Sequence, residues 1–189
     1  MSEKTLLVID MQKDFVSPEG KLFLGHDTKG LIDNVCALVS KFKEEKHRIV
    51  ATYDTHVHVD GHKCCEFEMF PEHCVMGTDG WDSISPVIEE NSLVFRKGAY
   101  SNYLIIKQLI GMVFDTDKRK PEEIEIHVCG VCTHICVHDI IAEFFNNFKE
   151  IYNVNPKICL IRNCIDDFDK DMEAFAIMRM EKLYGVKVI

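Results

Sequence analysis

Apolar positions recur along this chain in two rhythms, and their alternation predicts the fold. Residues 5–9 (Thr-Leu-Leu-Val-Ile) form a continuous apolar run, the pattern of a strand covered on both faces. Residues 28–46 then place Leu31, Val35, Leu38 and Phe42 on one helical face, with Asp27 or Thr28 as cap and lysines near the end. Residues 47–52 return to a short strand, and strand, helix, strand in that order predicts a parallel, right-handed unit. Residues 92–96 read as a third strand and 102–112 as a helix carrying Leu104, Ile105, Leu109 and Ile110. A charged loop covers 116–122. A fourth strand at 124–129, a helix at 137–148, a fifth strand at 157–161, a helix at 169–183 and a closing strand at 186–189 complete the series. The expectation is a single α/β domain over residues 1–189: three layers, α/β/α, around a six-stranded, mostly parallel sheet.

Between residues 53 and 91 neither rhythm persists. A stretch this long inside a compact domain is either disordered or functional. Its residues argue for function: Asp54, His56, His58, Asp60, His62, Cys64, Cys65, Glu66, Glu68, His73 and Cys74 all fall in it. Phe67, Phe70 and Trp81 are interleaved, so the segment is expected to fold back onto the body.

Composition narrows the partners. With 189 residues the chain can bury a core without staples, and its net charge is −9, from 22 basic against 31 acidic residues. No dense Lys/Arg cluster is present, which argues against nucleic acid or an anionic membrane surface. No apolar run is long enough to span a bilayer and no signal peptide is visible, so the expected location is cytoplasmic. The nine cysteines are odd in number and sit mostly inside strand-like or helix-like runs, a pattern that suits reduced thiols.

Three predicted strand ends carry chemistry. Asp10 follows the first strand, where open α/β sheets bind ligands, although a turn-capping carboxylate would look the same. Lys97 follows the third, directly before Gly98 and Ala99. The fourth strand runs into Gly130-Val131-Cys132-Thr133-His134-Ile135-Cys136-Val137 and then a helix, placing Cys136 near a helix N-terminus. Free N–H groups and the helix dipole there favour a thiolate and suit an oxyanion. A thiol nucleophile also needs a positive neighbour and a proton carrier, roles open to Lys97 and Asp10.

These stretches resemble the isochorismatase-like cysteine hydrolases, and within them the nicotinamidase branch. The resemblance rests on Leu7-Val8-Ile9-Asp10-Met11-Gln12-Lys13-Asp14-Phe15, Arg96-Lys97-Gly98-Ala99-Tyr100-Ser101 and the Gly130–Val137 stretch, and it extends to the Leu183–Ile189 ending. It implies a Rossmann-like fold, a triad of Asp10, Lys97 and Cys136, and a cis peptide between Val131 and Cys132 that aims the Cys132 and Cys136 N–H groups at an oxyanion. Hydrolysis of nicotinamide to nicotinic acid and ammonia through a thioester, feeding NAD salvage, would follow. Phe15 and Phe70 would stack on the ring, Val131 would touch it, and Tyr100 or Tyr103 would close the pocket. Another small amide, a ureido acid or isochorismate is the alternative substrate. Relatives commonly assemble, so a homo-oligomer is expected.

The resemblance also implies a divalent metal, with zinc favoured and manganese or iron admitted by the donor chemistry. Asp54, His56 and His73 match the ligand pattern. For the remaining ligand two positions compete: Glu66, seven residues before His73, and His62, six residues after His56. The short spacing from His62 to His73 favours Glu66. A structural zinc site from His62, Cys64 or Cys65, His73 and Cys74 is a distant rival, lacking paired C-x2-C spacing. Cys132-x3-Cys136 lacks the spacing of a redox pair, and His134 and His138 are expected to flank the site or face solvent, without a catalytic role.

Overall fold

The computed structural model describes residues 4–58, 64–115 and 120–189. Six strands form one sheet: β1 (Lys4–Ile9), β2 (Arg48–Asp54), β3 (Leu93–Lys97), β4 (Glu125–Gly130), β5 (Lys157–Ile165) and β6 (Lys187–Val188). Their order is β3-β2-β1-β4-β5-β6, and every pairing is parallel. The chain works outward from β1 to one edge and then returns to β1's other side with β4. That reversal makes the carboxyl ends of β1 and β4 a topological switch point, where such sheets open a crevice.

Helices cover both faces. On one lie α1 (Lys13–Val16), α2 (Lys29–Glu44) and α3 (Pro86–Asn91); on the other, α4 (Tyr103–Asp115), α5 (His138–Tyr152) and α6 (Lys170–Tyr184). Successive side chains of β1 feed the two cores alternately, Leu6 and Val8 towards α2, Leu7 and Ile9 towards α5. Gly130 is needed where β1 and β4 meet. Its φ is +115°, and a Cβ there would stand 2.0 Å from the Ile9 carbonyl oxygen.

Three differences from the sequence reading have physical reasons. On α2 the buried stripe is Leu31, Val35, Val39 and Phe42, with Leu38 only half-buried, because the helix turns its 100°-per-residue register slightly past the expected face. The 53–91 stretch contains α3, capped by Ser85 accepting from the Val87 N–H and opened by Pro86. Six residues are too few to show a helical period, though the Ser-Pro start signal was there. The sheet is wholly parallel, since each β-to-β link crosses over a helical segment.

Candidate active site

The strand ends bring Asp10, Lys97 and Cys136 together. Asp10 turns the chain out of β1 at φ 50°, and its N–H donates to the Thr52 carbonyl at 3.0 Å, keeping it tied to β2. Its carboxylate is fully buried. The Thr52 hydroxyl donates to Oδ1 at 2.8 Å, and Lys97 Nζ stands 2.7 Å from Oδ2. Lys97 Nζ also donates to Cys136 Sγ at 3.4 Å. One buried ammonium therefore touches both the acid and the thiol.

Cys136 does not sit at the start of a regular helix. Residues Thr133–Val137 form a single π turn that runs directly into α5. The peptide between Val131 and Cys132 is cis. The turn is pinned from the far side by the β5–α6 connection. Thr133 donates through its N–H and its hydroxyl to the Asp166 carbonyl, and the His134 N–H donates to Asp167 Oδ2 at 2.7 Å. The His134 imidazole reaches the same carboxylate oxygen, so His134 braces the turn, whereas His138 pairs with Asp139.

Electrostatics here differ from the simple expectation of a lowered thiol pKa. Burial pushes the Cys136 thiol well up, and Lys97 only opposes this. Burial likewise raises Asp10 against the pull of Lys97. For Lys97 burial would lower the pKa, but the charges of Asp10, Cys136 and Asp54 outweigh it and hold the ammonium charged. Two groups that both resist ionisation therefore share one fixed positive charge, which opposes the effect of burial on each.

A second cluster adjoins this one. Asp54 ends β2 as the register partner of Lys97, and its Oδ1 lies 3.5 Å from Nζ. Its Oδ2 faces His56 Nε2 at 3.0 Å and His73 Nε2 at 3.3 Å. Glu66, on a short 3-10 turn, stands 3.6 Å from His73 and 3.9 Å from His56. All four are buried, and one donor atom from each falls within 4.8 Å of the others. His62, the competing ligand, lies outside the described residues. Glu66 therefore stands within the cluster, and His62 is not placed.

The cluster's chemistry fits a divalent cation. Asp54 Oδ1 is buried and accepts no hydrogen bond among the described residues. Burial would lower His73, but the Asp54 and Glu66 carboxylates outweigh it and hold the imidazole up to about 10. A pocket that retains a proton this strongly carries surplus negative charge. His73 Nδ1 meets the Pro71 carbonyl at 2.7 Å, so its N–H points there and Nε2 is left for a metal. His56 Nδ1 meets Cys64 Sγ at 3.3 Å, the corresponding outer contact.

Aromatic rings surround the cluster. Phe15 packs edge-on to His73 at 5.5 Å, Phe70 at 6.4 Å, and Phe67 lies 5.0 Å from His56. Tyr100 is raised to about 12, by burial first and then by Glu66, Cys136, Asp139 and Asp54, so it shares the field of the site. Tyr103 is exposed at the start of α4 with Lys107 over its ring. Val131 is fully buried beside Cys132.

Several contributors escaped the sequence reading. Gln12 is fully buried; its amide donates to the Asp54 carbonyl at 2.9 Å and accepts from the Asp54 N–H at 2.7 Å, fixing the backbone at Asp54. The Asp14 carboxylate accepts from the N–H groups of Lys21 and Cys74, tying the loop at His73 to α1. Phe168 leans on both Phe70 (6.3 Å) and His134 (5.3 Å). Polar residues directly after an apolar strand were the available signal for Gln12 and Asp14. Nothing local marked Phe168 or Asp167.

A family model described as the isochorismatase domain matches residues 4–189. A nicotinamidase of Saccharomyces cerevisiae is 27% identical over 168 residues, covering 71% of this chain and 77% of the yeast protein. The crystal structure of the nicotinamidase/pyrazinamidase PncA of Bacillus subtilis superposes with a TM-score of 0.80 at 23% identity, covering 98% of each chain. The pyrazinamidase of Pyrococcus horikoshii, solved in complex with zinc, gives 0.74 at 24%, covering 99% of this chain and 98% of that one. At these identities the structural likenesses establish the fold.

Proposed function

This chain belongs to the isochorismatase family, and we propose that within it the protein is a metal-dependent amidohydrolase, a nicotinamidase that forms nicotinic acid and ammonia and feeds NAD salvage. The observation that carries the reading is the junction at Asp54, where one carboxylate faces two imidazoles on one side and Lys97 on the other. A thiol site and a cation site sharing a wall suit a substrate with a hydrolysable group and a basic nitrogen. The named yeast nicotinamidase supports the substrate, and the zinc-bound pyrazinamidase supports zinc, with manganese or iron the other ions this donor set accepts. The same reading takes residues 1–189 as one domain acting on a small molecule in the cytoplasm as a homo-oligomer, without nucleic acid or membrane partners.

Asp54, His56, Glu66 and His73 would hold the ion, which when bound supplies a Lewis-acid docking point for the pyridine nitrogen. Phe15 and Phe70 would flank the ring, with Val131 against it and Tyr100 rather than Tyr103 closing the mouth. Cys136 passes its proton to Asp10 as sulfur attacks the amide carbon, and the Cys132 and Cys136 N–H groups receive the oxyanion. Collapse breaks the C–N bond, and Asp10 hands that proton to the departing ammonia. Asp10 then takes a proton from water, the hydroxide opens the thioester, and the sulfur leaves as thiolate. Return of the proton to Cys136 closes the cycle. Lys97 stays charged throughout and compensates whichever partner is anionic.

Ammonia release from nicotinamide by zinc-loaded protein, against a chelator-treated control, tests this. Release that stops on chelation and returns with metal supports both substrate and ion. No release from folded, loaded protein removes nicotinamide as the substrate and turns the search to other small amides and ureido acids.

A further inference from the structure

At the edge of the sheet opposite the candidate active site, three side chains of different donor chemistry converge. Glu125 and His127 lie two apart on β4 and so share a face, and Cys159 on β5 is the register partner of His127. His127 Nε2 is 2.5 Å from Glu125 Oε1, and Cys159 Sγ is 4.0 Å from the same oxygen. One donor atom from each falls within 4.8 Å of the others. His127 and Cys159 are buried, and the Phe42 ring of α2 meets the imidazole edge-on at 5.3 Å. None of these residues takes part in the Asp54 cluster or the triad.

We propose that Glu125, His127 and Cys159 form a second, sulfur-containing binding site for a divalent cation of the zinc class. An imidazole, a thiol and a carboxylate are the donor set that zinc accepts and that hard cations such as magnesium and calcium do not. Adjacent strands of a parallel sheet hold the three backbones rigidly, so little order has to be created on binding. Three protein ligands leave a coordination position open. It has a way out, because Glu125 and Cys159 line a cleft of ≈ 400 Å³ with Lys157 and Lys187 on its walls. Those ammonium groups favour water or a small anion as the remaining ligand.

The Lys4 ammonium now stands 3.4 Å from Glu125 Oε1. Its side chain is 35% exposed, so it can swing into solvent as the cation takes its place on the carboxylate. Binding forms a sulfur–metal bond and releases the Cys159 thiol proton to solvent, with no change of oxidation state.

Cobalt substitution tests the site independently of the first one. The Asp54 cluster offers only oxygen and nitrogen, so a thiolate-to-cobalt charge-transfer band reports sulfur ligation. We expect the band in the parent protein, its loss in Cys159→Ser and His127→Ala, and its retention in His73→Ala. Equilibrium dialysis with zinc should show Cys159→Ser losing one equivalent per chain relative to the parent. Absence of the band from folded parent protein overturns the proposal. So does a band that survives Cys159→Ser, or one that vanishes with His73→Ala, since it then belongs to a thiol at the first site. The near-isosteric Cys159→Ser keeps the test decisive should His127→Ala fail to fold.

Discussion

Asp54 and Lys97 are register partners at the carboxyl ends of β2 and β3, and the 3.5 Å between Asp54 Oδ1 and Lys97 Nζ joins the Asp54, His56, Glu66 and His73 cluster to Asp10 and Cys136. Each carboxylate oxygen serves a different half of the site. Oδ2 faces the two imidazoles, while Oδ1 faces the ammonium that also contacts Asp10 and Cys136.

Asp54→Asn should therefore damage both halves. Metal affinity is expected to fall by more than ~100-fold, beyond what loss of an outer-shell partner costs. Activity at saturating metal should stay below that of the parent, because Lys97 loses a counter-charge. Titration of zinc binding together with kcat at high metal checks this; full recovery of kcat would confine Asp54 to metal binding.

Cys136→Ala should abolish turnover, by roughly 10⁴-fold or more, as expected for removal of a nucleophile. Unfolding free energy should change by only about 1 kcal/mol and metal content should be unaffected. Measurable steady-state hydrolysis in the variant would remove Cys136 from the nucleophile role.

Lys97→Met keeps the volume but strands two buried carboxylates without their shared cation. The loss expected for breaking such a buried pair is about 3–5 kcal/mol, read by denaturant unfolding. An unchanged midpoint and slope would show that Asp10 and Asp54 do not depend on Lys97.

Gly130→Ala places a methyl 2.0 Å from the Ile9 carbonyl oxygen at a φ of +115°. Backbone clash and left-handed strain together should cost about 3 kcal/mol or more. Thermal unfolding checks it, and an unaltered midpoint would mean that β1 and β4 can part without penalty.

The pH profile of kcat/KM follows from the raised Asp10 and Cys136. Catalysis requires one proton between them. The acid limb, where both are protonated, should lie above the ordinary carboxylate range. The alkaline limb, where both are ionised, should lie above that of a free thiol. An alkaline limb below the free-thiol range would instead indicate a resting thiolate.

Much of this was legible in the chain itself. A continuous apolar run such as Leu6–Ile9 is the mark of a strand covered on both faces, so the parallel sheet was legible in the chain. Asp10, Lys97 and Cys136 each follow such a run, and parallel strands put their ends on one side. The extent of α3 beyond its Ser-Pro start and the swap of Val39 for Leu38 were not legible, because a brief helix or a small rotation leaves no periodic trace.

What the sequence by itself determined is the set of elements and the chemistry at their ends, because periodicity and strand termini are local properties. Tertiary structure alone decided which ends touch. The β2–β3 register put Asp54 beside Lys97, and the β5–α6 turn brought Asp167 to the π turn and Phe168 to Phe70. It also decided the protonation balance. Burial, which no local pattern records, pushes Cys136 and Asp10 up against the pull of one lysine. Charge position in a low-dielectric interior depends on every neighbour at once, and neighbours distant in sequence become neighbours only when the sheet forms.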